Sequence, residues 1–592
     1  MCGITGISTK ENNINIEKLW LATDILAHRG PDDRGIYVSQ NQRNGMGHRR
    51  LSFIDISPSG KQPMSNKNGS LHITFNGEIY NYKELRTRLE NDGIQFETHT
   101  DTEVLLNGYK KWGTSLPNYL DGMFAFAILD EEEQTWFLCR DRFGIKPLFF
   151  SFSNDAFIFG SEIKSLLAFE VINKKIRPDA ISLFLANRYI PCPFTIWDNI
   201  YQVRPGHYLE INLQQWKQKN TAYWILETGN LYEDSETARN TFENMFQQSV
   251  QSHLIADVPV GSFLSGGYDS SALVYIMQKV LHYPTKAFTI GFKDWAQSED
   301  KYASIVAEST GADLYTSIAD ESHLSMTHKL MWHYDNPIAD ISIIPTYEVS
   351  RLASSYVKAV LSGEGADEAL GGYWWHKSEN WLRYSSLHSR LFGYSFTDIK
   401  KHYISAMSMG LFDNKELKKC LTSTYASHIP DDPFSHFDTF RLPNETSIVK
   451  QIQYLDIYTF MSELILTKID RASMAHSLEV RVPFLQHQLI QYLFSLSSDV
   501  VIKKNIQKYF LHDWLKTRLP ATILNRSKQG FVGPDAYYMN IDIYQSALKN
   551  GELIKQGVIQ KAYMLHLIKT KDHWRLWKMY ALENWWKVWQ PQ

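Results

Sequence analysis

Cysteine is scarce in this chain. Its 592 residues include four, Cys2, Cys139, Cys192 and Cys420. They lie far apart and form no C-x-x-C pair, which argues against a zinc site or a disulfide framework and points to a reduced compartment. Long apolar runs are missing too. Nowhere do about 18 apolar residues follow one another, so no membrane-spanning helix is expected. The N-terminus turns polar from Ser8 to Asn13 and lacks the apolar stretch of a signal peptide. Neither sign of charge dominates. Lys and Arg total 61 against 64 Asp and Glu, a net charge of −3, with no basic run and no basic stripe interleaved with aromatics. This speaks against nucleic acid and anionic membrane as partners. There is no internal repeat and no low-complexity segment. The expectation is a cytoplasmic chain, 44% hydrophobic and 21% charged, that is too long for one core and folds as two or three domains.

The most informative residue present is Cys2, in the opening MCGITGI. With Met1 removed, it carries both a thiol and a free α-amine. The amine, with a pKa of about 8, is a suitable base for activating the thiol. That pairing suits attack on an amide. A cysteine beside the start codon can also be incidental, so its surroundings decide.

The first third alternates short apolar stretches with Gly, Asn and Asp. Leu71 to Tyr82, Met123 to Asp130, Thr135 to Asp141 and Ala156 to Glu162 read as strands, and Tyr82 to Asp92 as a helix. MFAFAILD, at 123 to 130, is nearly continuous and suits a strand covered on both faces. Prolines cluster at Pro178, Pro191, Pro193 and Pro205, and a polar stretch runs from Asn212 to Glu236. The expected division is a sheet domain over 1–210, a linker over 211–235 and a second domain over 236–592. The second domain opens in βαβα order: strand Val258 to Leu264, helix Ser270 to Leu281, strand Lys286 to Phe292, helix Lys301 to Thr310 and strand Val357 to Gly363. This predicts a doubly wound sheet with ligands at the C-terminal strand ends. Beyond about Gly372 the chain reads mostly helical.

Two loops of the second domain carry chemistry. SGGYDSS, Ser265 to Ser271, joins a strand to a helix. Gly266 and Gly267 let the backbone approach phosphates, and Ser265, Ser270 and Ser271 supply donors at a helix N-terminus. Asp269 cannot bind a bare phosphate, so it implies Mg2+ between carboxylate and phosphate. The Walker lysine is missing. SGEGADE, Ser362 to Glu368, ends a later strand of the same sheet. It places Glu364, Asp367 and Glu368 where the first loop opens, which suits a second metal-binding carboxylate and a general base.

MCGITG, HRGPD (His28 to Asp32), HRRLS (His48 to Ser52), NGEIYN (Asn76 to Asn81), SGGYDSS and SGEGADE occur in one order in one chain. Together they resemble the glutamine-hydrolysing asparagine synthetases, from residue 2 to about residue 535. The resemblance implies an N-terminal-nucleophile glutaminase, an αββα sandwich of α+β class, followed by an α/β PP-loop ATP pyrophosphatase domain with a helical C-terminal part. It implies that Cys2 attacks glutamine and that Asn76 and the Gly77 N–H form the oxyanion hole. Arg50 would hold the α-carboxylate, Glu78 and Asp101 would receive the α-ammonium, and Arg50, Leu51, Ser52, Phe53 and Ile54 would line the pocket. In the second domain, Leu264, Ile290, Ser362 and Gly363 correspond to adenine and ribose contacts. Asp269 and Asp367 correspond to magnesium diphosphate ligands. Glu364 corresponds to the group that deprotonates or steers ammonia. Lys468 and Arg471, in LTKIDRASMAHSLEVRVPF (Leu466 to Phe484), are both candidates for the cation facing the phosphates. The implied partners are glutamine, ATP and a carboxylate acceptor, and a homodimer is allowed.

This chain departs from the pattern in two places. Tyr268 is bulkier than the aliphatic residue common at the fourth position of the first loop, and is read as facing the core. PIADISIIPTYEVSR, Pro337 to Arg351, has Asp340 and several Ile where aspartate-using members carry an arginine. Aspartate is the leading acceptor. A sugar acid of surface polysaccharide synthesis, amidated by the same machinery, is the alternative. A tRNA-modifying enzyme would need a basic face or catalytic cysteines near the loop, and a non-catalytic sensor would have lost Cys2 or a metal carboxylate. The terminal stretch with Trp574, Trp577, Leu582, Trp585 and Trp589 is read as an amphipathic helix packed on the domain.

Overall fold

A computed structural model describes residues 2–377, 395–443, 446–503, 506–526, 530–531 and 533–591. The first part is built from two six-stranded antiparallel sheets. One has the order Tyr201–Gln202, Phe149–Phe152, Ala156–Gly160, Gly3–Thr9, Asn44–Arg50, Asp33–Val38. The other has the order Lys217–Ala222, His207–Asn212, Thr135–Arg140, Gly122–Asp130, Leu71–Ile79, Met64–Ser65.

Strand Gly122–Asp130 shows why the layers form. Its side chains alternate between two cores. Ala125, Ala127 and Leu129 pack with Ile4, Met46 and Phe159 between the sheets. Phe124, Phe126 and Ile128 pack with Leu85, Leu89, Val104 and Leu105 of helices Tyr82–Asn91 and Asp101–Trp112. Burial on both faces accounts for the continuous apolar run. On the outside of the other sheet, helices Ile16–Asp24 and Ile163–Leu167 bury Leu19, Ala22, Ile163 and Leu166 against Ile7 and Ile158. The result is the αββα sandwich expected. The polar stretch from 211 is not all linker. His207–Asn212 and Lys217–Ala222 form a hairpin that continues the second sheet. Its polar composition reflects exposure of the edge strand on both faces.

The second part is built on a five-stranded parallel sheet of order Asp313–Ala319, Lys286–Phe292, Val260–Phe263, Ala359–Leu361, Glu479–Arg481. Strand order reverses between Val260–Phe263 and Ala359–Leu361. A crevice opens at such a switch point, and the two glycine-rich loops leave the sheet there. The helix after the first loop starts at Tyr268 and ends in a π turn, Ile276–Val280.

Helix His573–Trp589 is not amphipathic: every residue from Leu576 to Trp586 is buried. Trp585 donates to Asp335 O at 2.6 Å and its ring lies 5.4 Å from that of Trp197 in the first domain. It is a core helix that ties the halves together. Among the described residues, no helix is long and apolar enough to cross a membrane.

Candidate active site

The first site forms where strands Gly3–Thr9 and Leu71–Ile79 begin and end beside each other. Cys2 N donates to Asn76 Oδ1 at 2.9 Å, and the Cys2 thiol points at Leu51 O, 3.9 Å away. Burial pushes the thiol pKa up. Asn76 is fully buried, and its Nδ2 has no partner. A donor left unpaired in a core is costly, so this one stands ready for a ligand oxygen. Gly77 has φ 154, and a Cβ there would lie 2.1 Å from Met123 O, which restricts the position to glycine.

Arg50, Glu78 and Asp101 lie near Cys2 and near one another: the charge of Arg50 reaches the Cys2 thiol and that of Asp101 reaches Glu78. The Arg50 guanidinium donates to the carbonyls of Ile54, Asp55 and Ser57. Asp101 begins a helix capped by Thr100, whose hydroxyl accepts from Glu103 N at 3.1 Å. Its carboxylate accepts from Ile79 N at 3.2 Å, and burial holds its pKa up to about 6. Burial, then Glu479, pushes Glu78 well above the usual carboxylate range. Glu479 and Arg481 come from the edge strand of the second domain. Arg481 lies 2.6 Å from Glu479 and 3.6 Å from Glu78. Leu51 and Phe53 pack into the second domain's core, Ile54 lies against it, and Asp257 N donates to Phe53 O at 2.9 Å. Ser52 N donates to Asp32 at 2.9 Å. The second domain thus completes the first site's wall, a contribution that motif order does not reveal.

The second site is a cavity of about 660 Å³ at the switch point. Leu264, Ser265, Gly267, Asp269 and Ser270 line it from one loop, and Ser362, Gly363, Glu364 and Asp367 from the other. The loops touch: a Cβ on Gly363 would lie 2.7 Å from Asp269 Cβ. Gly266 makes the turn at φ 71. Ser362 Oγ donates to Glu364. Tyr268 lines the cavity rather than facing the core, and its hydroxyl donates to Leu524 O at 2.6 Å. Ser271 and Ile290 lie behind the cavity wall, 0% and 1% exposed, and do not line it. Ile290 faces the sheet core because alternation along its strand turns it there.

Of the two candidate cations, Lys468 lines the cavity and donates to Ser342 Oγ at 3.1 Å. Arg471 does not line it. It lies 2.9 Å from Glu162 in the first domain and 3.8 Å from Asp335 and Asp470. A third cation, outside the sequence-derived candidates, lies between the carboxylates of the two loops. Lys508 bridges Asp269 and Asp367, 2.8 Å from the latter. It sits in left-handed backbone before helix Tyr509–Leu515, far along the chain from both loops. Asp269 Oδ1 is buried without a partner.

A buried ionic network joins the two sites. Arg29 Nε donates to Cys2 O at 3.0 Å, and its Nη1 and Nη2 donate to Asp470 at 2.9 and 3.0 Å. Nη1 also donates to Glu162 at 2.8 Å. Asp470 shares helix Leu466–Met474 with Lys468, so one helix borders both sites.

Residues 1–224 match the glutamine amidotransferase domain family, and residues 241–587 the asparagine synthase family. The chain is 32% identical over 604 residues to glutamine-hydrolyzing asparagine synthetase 1 of Bacillus subtilis, covering 97% of this chain and 93% of that one. It is 32% identical over 563 residues to synthetase 3 of the same organism, covering 90% and 87%. It is 27% identical over 647 residues to amidase chry2 of Gibberella zeae, covering 97% and 94%. The chain belongs to the glutamine-hydrolysing asparagine synthetase family, ATP-dependent ligases that join a glutaminase to a PP-loop domain.

Proposed function

We propose that this protein makes asparagine from aspartate, with glutamine as nitrogen donor and ATP as activator. Cys2 attacks the glutamine side-chain amide while its own α-amine, free once Met1 is removed, takes the thiol proton. The thiol's burial makes that base necessary. Asn76 Nδ2 and the Gly77 N–H receive the oxyanion. Arg50 turns from its loop carbonyls to the glutamine α-carboxylate, and ionised Asp101 takes the α-ammonium. The adduct collapses, its C–N bond breaks and ammonia leaves with the proton held on the α-amine, giving a glutamyl thioester. Water then cleaves the C–S bond, releasing glutamate and restoring the thiol.

In the cavity, the acceptor carboxylate attacks the α-phosphorus of ATP. A P–O bond forms and diphosphate leaves, giving an acyl-adenylate. Ammonia displaces AMP from the acyl carbon, and Glu364 takes the proton that ammonia loses. Lys508 neutralises charge on the phosphates. Asp269 and Asp367 would hold Mg2+ there. Two carboxylates that already share a cation, one with an unpaired buried oxygen, fit an ion that takes its remaining ligands from phosphate and water. When bound, that ion supplies charge neutralisation on the diphosphate.

The observation that carries this reading is the helix Leu466–Met474. It sets Lys468 in the cavity and grips, through Asp470 and Arg29, the carbonyl of Cys2. Ammonia made at one site and used at the other needs such adjacency, because free ammonia is scarce beside ammonium at neutral pH. An internal ammonia path between the sites is part of the proposal. The reduced, ATP-supplied cytoplasm suits this chemistry.

The second reading, a different carboxylate acceptor, is favoured by Asp340 in place of a cation and by Tyr373, Trp374 and Trp375 in the cavity wall. The deciding experiment is diphosphate release with glutamine, Mg-ATP and either aspartate or a panel of carboxylates. Release that is specific to aspartate supports the proposal. No stimulation by aspartate refutes it.

A further inference from the structure

The end of the cavity lined by Asp340 holds a cation that the mechanism above does not use. Arg188 follows helix Ala180–Asn187 in the glutaminase half, yet it lines the synthetase cavity with Asp340, Ser342 and Lys468. It is 4% exposed. Among the described residues, no carboxylate comes within 4.0 Å of its nitrogens. Nη1 contacts the Met409 sulfur at 2.6 Å, the guanidinium lies 5.4 Å from the Phe460 ring centre, and Nε is buried with no partner. A guanidinium has five donors, and a thioether is a weak acceptor. A buried cation left this way lowers stability unless a ligand completes it.

The backbone adds a second cost. Arg188 has φ 72, in the left-handed region that favours glycine at the end of a helix. Its N–H caps Phe184 O at 2.7 Å, but glycine would make that bond as well. The cap therefore explains the conformation and leaves the side chain unexplained. Of the other nearby cations, Lys578 is spent on Leu185 O and Gly410 O, and Lys468 donates to Ser342 Oγ at 3.1 Å. Burial lowers the proton affinity of Arg188, and the charge of Asp340 opposes this.

The stretch expected to supply an acceptor-binding arginine does not supply one. Its single arginine, Arg351, is 55% exposed and paired with Glu348 at 2.9 Å. An α-amino acid acceptor still needs a cation for its α-carboxylate and an anion for its α-ammonium. We infer that Arg188 binds the α-carboxylate of the acceptor and that Asp340 receives its α-ammonium. The acceptor site is then incomplete without the glutaminase half, which ties acceptor recognition to the docking of the two domains. This inference rests on the aspartate reading.

The test compares aspartate with β-alanine, which is aspartate without its α-carboxylate. Diphosphate release is measured with Mg-ATP and ammonia in the wild type, in Arg188→Met and in Arg188→Gly. Each variant is checked by its unfolding midpoint. The wild type should prefer aspartate in kcat/KM by about 10- to 150-fold, the range for a charged hydrogen bond. Arg188→Met should lose that factor on aspartate alone, so the preference collapses. Arg188→Gly suits the backbone and should collapse the preference with a midpoint no lower than wild type. A preference that persists in both variants overturns the inference, and so does an equal loss on both acceptors. A wild type that ignores aspartate refutes the acceptor reading itself, and the Arg188 assignment falls with it.

Discussion

Asn76→Ala separates catalysis from folding at the glutaminase site. The side chain makes one bond, Oδ1 to Cys2 N at 2.9 Å, and leaves Nδ2 buried and unpaired. Truncation loses that bond, worth about 1 kcal/mol, and also removes an unsatisfied donor that costs about 1–3 kcal/mol in the resting protein. The two effects oppose each other, so global stability should move by less than about 2 kcal/mol. The rate should respond far more. A single oxyanion donor contributes about 2.7–4 kcal/mol to the transition state, so kcat for glutamine hydrolysis should fall about 10²- to 10³-fold. The assay is glutamate release at saturating glutamine, run beside ammonia-dependent diphosphate release with the acceptor. The first should collapse and the second should hold. A loss of less than about 10-fold in hydrolysis, or an equal loss in both assays, refutes the assignment of the orphaned Nδ2 to the oxyanion.

Three other residues give outcomes that follow from named contacts. Lys508→Met leaves Asp269 and Asp367 facing each other without their shared cation, and should cut diphosphate release about 100-fold or more while glutamine hydrolysis continues. Asp101 is protonated at pH 5 and ionised at pH 7 because burial holds its pKa at about 6, so kcat/KM for glutamine should rise through pH 6, and Asp101→Asn should remove that step. The same raised pKa stabilises the fold below the unfolded-state value near 4 and loses that contribution as pH rises through 6, which pH-dependent denaturation can measure. Arg29→Met strands Glu162 and Asp470 in a buried network and should destabilise the protein by about 3–5 kcal/mol, with the survivors releasing more glutamate than they make product.

The sequence displays the core of this fold well and its edges poorly. Gly122–Asp130 and Lys286–Phe292 are legible because burial on both faces forces continuous apolar runs. The edge strands Asp313–Ala319 and Glu479–Arg481 carry charge and lack that signal. Lys217–Ala222 reads as linker for the same reason. Both loop motifs are local, so Asp269, Glu364 and Asp367 could be placed in one cavity from order alone. Lys508 could not, because nothing in NIQKYFLH marks a lysine that reaches back to loops far earlier in the chain. Choosing between Lys468 and Arg471 required knowing which side of their helix meets the glutaminase half. Arg188 was hidden by its position, since it lies in one domain and lines the site of the other.

The central claim is that Cys2 supplies nitrogen to a separate site and does not make the product itself. Cys2→Ala, assayed for amide product with glutamine and then with ammonia, tests it most directly. The account predicts no product from glutamine and near wild-type product from ammonia; loss of both would contradict it.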